Sequence, residues 1–69
     1  MSAATVTAAD LGRAAHAAGR MRSPGADAEL MRVEAAQPTS AAKCAVMAAW
    51  LRAYDACVIA DLMTCEDDR

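Results

Sequence analysis

Ala48–Met63 reads AAWLRAYDACVIADLM. Sixteen residues without Gly or Pro, with no strict alternation of apolar and polar positions, predict a helix. Only Arg52, Asp55 and Asp61 are charged, so the helix is apolar almost all the way round. Such a helix must be covered by something. In a chain of 69 residues little else is available to cover it.

Working outward, Thr39 or Ser40 suits the N-cap of a third helix running from Ala41 to Met63. At 100° per residue, Cys44, Met47, Leu51, Tyr54, Val58, Leu62 and Cys65 share one sector roughly 80° wide. Val46, Trp50, Ala53, Cys57 and Ala60 fill a second sector, with Lys43 and Asp61 between the two. A spine with two apolar sectors needs two neighbours. Gln37-Pro38 ends a second helix, which starts near Pro24 or Asp27 and turns Ala26, Leu30 and Val33 inward. Thr7-Ala8-Ala9-Asp10 has the form of a capping box and opens a first helix over Ala8–Arg22. Its small residues Ala8, Gly12, Ala15 and Gly19 form one stripe, beside a line of Leu11, Ala14, Ala18 and Met21. A stripe of small side chains admits a close helix neighbour.

The expected fold class is therefore all-α: one domain of two short N-terminal helices packed on one long C-terminal helix. Residues 1–6 read as an N-terminal extension and 64–69 as an acidic tail whose charge opposes the helix dipole. Both short helices are Ala-rich, and 20 of the 69 residues are Ala. The core is consequently thin, and part of the Trp50 or Tyr54 region is expected to stay open for a partner.

Composition excludes several functions. Net charge is −2, so direct nucleic-acid binding is not expected. The charges of Ala41–Met63 argue against a membrane span. Three scattered Cys form no disulfide framework, and no secretory signal is evident, which favours a cytoplasmic setting with the thiols buried. Cys44, Cys57 and Cys65 lack finger spacing, and His16 is the only His, so no metal or cofactor is expected. The only conceivable base for Cys44 is His16, which no spacing places beside it; Asp55 and Asp61 do not face each other, and no Gly-rich phosphate loop follows a strand. The chain is not expected to be an enzyme. Asp55 is expected to pair with Arg52 on the surface, and Asp61 either to meet Arg13 or Arg20 or to be exposed.

The segments Arg13-Ala14-Ala15-His16-Ala17-Ala18-Gly19-Arg20, Ser23-Pro24-Gly25 and Ala49-Trp50-Leu51-Arg52-Ala53-Tyr54 resemble those of ribosome modulation factor and its relatives. Ala53 and Tyr54 stand where that family carries Gly and Trp. The resemblance implies a ribosome-associated helical protein whose Arg13, Arg20 and Arg22 contact phosphate. By type, a short acidic helical chain is also similar to small phage-encoded inhibitors such as the anti-CRISPR proteins. That likeness implies a stoichiometric binder that blocks a host nucleic-acid-processing complex. It would present Asp55, Glu66, Asp67 and Asp68, with Trp50 or Tyr54 as an apolar anchor. A third class is a self-associating module that dimerises through the third helix.

Overall fold

The computed structural model describes residues 2–67, with side chains described over residues 2–63. Three α-helices follow one another: α1 (Ala3–Ala17), α2 (Ala28–Ala35) and α3 (Ser40–Asp67), with a single 3-10 turn at Pro24–Ala26 between the first two. The fold is all-α, as expected, with α3 as the spine. The described residues contain no strand.

The helix ends explain where each element lies. Ser2, not Thr7, caps α1: its hydroxyl accepts from the Thr5 N–H at 3.2 Å. Residues 3–6, expected as an extension, are therefore the first turn of α1. The helix also stops five residues earlier than Arg22. Gly19 adopts φ +74°, Arg20 N–H donates to Ala15 C=O and Gly19 N–H to His16 C=O. This is a Schellman termination, and it needs a residue without a Cβ at Gly19. Gly19 thus lies outside the helix and leaves the small-residue stripe.

Asp27 caps α2, with Oδ1 accepting from Glu29 N–H at 3.1 Å and Leu30 N–H at 3.2 Å. At the other end, Gln37 Nε2 donates to Val33 C=O at 2.9 Å and Lys43 Nζ to Glu34 C=O at 3.2 Å. These bonds satisfy carbonyls that the helix cannot. Thr39 Oγ1 accepts from Ala42 N–H at 3.1 Å and starts α3. The helix then runs to Asp67, past the expected end at Met63. Glu66 and Asp67 are in helical backbone; their side chains, and Asp68 entirely, lie outside the described residues.

Contacts fix the directions. Asp27 meets Trp50 and Glu34 meets Lys43, so α2 runs antiparallel to α3. Gly12 lies against Trp50, while His16 lies against Tyr54 and Asp61, so α1 runs parallel to it. The buried residues of α1 are Ala8, Gly12 and Ala15, the stripe read from the sequence. Gly12 brings the backbones so close that an added Cβ would overlap the Trp50 carbonyl oxygen. Of the neighbouring line only Leu11 is half-buried; Ala14, Ala18 and Met21 are exposed. Ala26 is exposed too, because the 3-10 turn carries it away from the α2 inner face. The core is Ala8, Ala15, Leu30, Val46, Ala49, Trp50 and Tyr54.

Candidate functional site

Trp50 is the centre of the core and 1% exposed. Its indole N–H donates to Asp27 Oδ2 at 3.0 Å, so one carboxylate both caps α2 and anchors the spine. Tyr54 stacks on Trp50 with centroids 5.2 Å apart, and His16 meets Tyr54 edge-on at 5.4 Å. The Tyr54 hydroxyl donates to the Arg20 carbonyl and clamps the loop after α1. Trp50 and Tyr54 are therefore not open anchors, contrary to the sequence expectation. Asp27 and the small residues of α1 let both short helices close over them. All buried side-chain N and O atoms among the described residues have partners.

The surface charges pair differently from the expectation. Asp55 takes a two-pronged bond from Arg22, Nε to Oδ1 at 2.7 Å and Nη2 to Oδ2 at 2.9 Å, instead of pairing with Arg52. The loop that Tyr54 clamps delivers Arg22 there. Hydrogen bonding to Arg22 holds the Asp55 carboxyl below its ordinary range, and Asp55 raises Arg22 in turn. A lowered folded-state value means the pair stabilises above the unfolded carboxylate pKa of about 3.9 and is lost as pH falls through the folded value. Arg22→Gln is accordingly expected to lower the melting temperature slightly at neutral pH. In thermal melts across pH the deficit should shrink toward zero in acid; a constant deficit would assign Arg22 a packing role instead. Asp61 meets His16 Nε2 at 3.1 Å, not Arg13 or Arg20, and stays 69% exposed. Arg13 pairs with Asp10. Of the three-arginine patch, two members are thus matched by carboxylates of their own chain.

The thiols are spread apart. Cys44 is exposed rather than buried, and Cys57 is half-buried. Thirteen positions of α3 separate them, about 20 Å at 1.5 Å per residue. His16 sits near Asp61, far along the helix from Cys44. The described residues hold no cluster of three metal-ligating side chains. A small cleft of about 210 Å³ lies between Ala15, Arg20, Met21, Asp27 and Trp50. Both Asp27 oxygens in its wall are already bonded.

The distinctive surface is the end of α3. The chain measures 48 × 22 × 15 Å, and the long dimension is the spine. A 28-residue helix spans about 42 Å, whereas α1 ends at Ala17, level with Tyr54 and Asp61. Beyond Cys57 no element among the described residues covers the outer side of α3. Ile59 is 58% exposed, Leu62 63% and Met63 63%, with Val58 at 36% beside them. At 100° per residue these four fall in one sector of about 140°. Cys57 and Asp61 lie on the other side, toward α1. This extension, not Trp50 or Tyr54, is the open part of the apolar helix. The sequence held the signal in Val58-Ile59 and Leu62-Met63, but their exposure depends on which side of α3 the short helices take, and α1 takes the side of Cys57 and Asp61.

No family model, curated protein or solved structure matches the chain. No helix among the described residues is long and apolar enough to cross a membrane.

Proposed function

We propose that the chain is a small non-enzymatic protein-binding module whose binding face is the extension of α3. The observation that carries this reading is the exposed sector Val58, Ile59, Leu62 and Met63 on a stretch of helix that no element among the described residues covers. Scattered apolar residues are normal on a surface, but a contiguous helical stripe is the form in which helices dock on proteins. The dispersed positions of His16, Cys44 and Cys57 accord with binding rather than catalysis.

Inhibition of a nucleic-acid-processing complex through acidic residues would fall to Glu66, Asp67 and Asp68, since Asp55 is engaged by Arg22. A ribosomal role through Arg13, Arg20 and Arg22 has less support, because Asp10 and Asp55 neutralise two of the three.

A photo-cross-linking residue at Ile59 tests the reading, with the same probe at exposed Arg32 on α2 as control. In the cells of origin, Ile59 should yield a discrete protein adduct and Arg32 none. Equal or absent protein adducts at both positions would overturn the assignment of this face.

A further inference from the structure

We infer that the occupant of the extension is a second copy of this chain, paired antiparallel about a two-fold axis that passes between Ala60 and Asp61. The inference rests on the reading of the extension as a protein-docking face and names its partner. A two-fold interface must be self-complementary: the patch has to match itself after rotation. The exposed stripe meets that condition. Its members fall at 58, 59, 62 and 63, a spacing of one, three and one that reads the same in either direction. Reversed about the midpoint, Val58 faces Met63 and Ile59 faces Leu62. Every apolar side chain of the stripe then meets an apolar side chain. Asp61 is turned toward His16 on the other side of the helix and stays off the seam.

Charge supports the same arrangement. The sequence after the stripe is acidic, Glu66-Asp67-Asp68. Before the stripe stands one uncompensated guanidinium, exposed Arg52, which has no ion pair among the described residues; Arg22 is already matched by Asp55. Antiparallel pairing about the axis places positions 66 and 67 of one copy beside 55 and 54 of the other, within one turn of Arg52. Parallel pairing would set the two acidic ends side by side, and like charges at that distance repel. The tail that opposes its own helix dipole thereby acquires a cationic neighbour. Four apolar side chains per copy make a small interface, so association on the order of micromolar is expected rather than an obligate dimer.

Sedimentation equilibrium of the full chain from about 0.1 μM to about 1 mM brackets that range. The weight-average mass should rise across it and level off at twice the chain mass. Ile59→Glu with Leu62→Glu should weaken association at least tenfold while the helical circular dichroism is retained, because both side chains are already exposed in the single copy. Arg52→Glu should weaken it, and Arg52→Glu with Glu66→Arg should restore it. Orientation is read from a spin label on exposed Cys44, with Cys57 and Cys65 changed to Ser. The antiparallel dimer puts the two labelled positions about 50 Å apart at 1.5 Å per residue, a parallel one within about 15 Å. A monomer at every concentration, a dimer indifferent to the Glu pair, a charge swap without rescue, or a short label distance would each overturn the inference. An Ile59 cross-link to a different protein, with the purified chain monomeric, would overturn it and leave the docking face standing. Absence of any Ile59 adduct, with the purified chain monomeric, would remove both.

Discussion

Trp50→Ala is expected to leave the chain largely unfolded at room temperature. The side chain is 1% exposed and the largest fully buried one. Truncating a buried Trp costs about 3–5 kcal/mol in transfer and cavity terms. A chain of this size has a total stability of about 3–10 kcal/mol, at 0.05–0.15 kcal/mol per residue. The loss is therefore of the order of the whole. It also propagates: Tyr54 loses its stacking partner, and the loop that Tyr54 clamps through the Arg20 carbonyl loses its platform. Urea titration followed by far-ultraviolet circular dichroism is the measurement. A cooperative transition with a near-native midpoint would show that Trp50 is not the central core residue.

The gentler substitution Trp50→Phe isolates the hydrogen bond. It keeps an aromatic ring in place but removes the indole N–H that Asp27 Oδ2 accepts. Asp27 is 6% exposed, so one of its oxygens would be left buried without that partner. An unsatisfied buried acceptor costs about 1–3 kcal/mol. Asp27→Ala should cost about the same again through the lost cap on α2. The two changes share one interaction, so the double variant should be less damaging than the sum. Strict additivity would mean that cap and core are independent.

That Asp27–Trp50 bond shows where a reading of sequence stops. Asp27 was legible as the start of α2, and Trp50 as an apolar position of α3. Nothing local to either says that the two meet across 23 positions of chain. Trp50 therefore read as a surface anchor when it is the centre of the core. The stripe Ala8, Gly12 and Ala15 was legible because periodicity alone places it on one face. Its fourth member was not: Gly19 has the right spacing, but its positive φ ends the helix instead of continuing it. Thr7 and Asp10 imitate a capping box inside a helix already under way, and so mask the true cap at Ser2. The extension of α3 has a similar history. Its apolar residues are visible in the sequence, but their exposure follows from α1 packing on the opposite side of α3, at Trp50, Ala53 and Asp61, which periodicity alone does not choose.

Gly12→Ala carries the second large effect, and its sign separates two accounts of that stripe. Inside an ordinary helix, Ala is more stable than Gly by about 1 kcal/mol. If Gly12 were merely a helix residue, the substitution would raise stability. In this fold the new Cβ would run into the Trp50 carbonyl oxygen and lie 3.3 Å from the Ala53 Cβ. The first of these is backbone, which no rotamer change can move aside. Relief requires α1 to lift away from α3, with an overpacking cost of about 1–3 kcal/mol that exceeds the propensity gain. Net destabilisation is expected, larger for Gly12→Val because a branched side chain adds bulk and loses rotamer freedom in a helix. Gly25→Ala is the control, since nothing lies within 4 Å of a Cβ there. As α1 lifts, His16 should also withdraw from Tyr54 and Asp61, which the histidine ring resonances would report. A rise in the urea midpoint for Gly12→Ala would mean that the two helices do not approach this closely. The stripe would then be a matter of helix composition and not of packing.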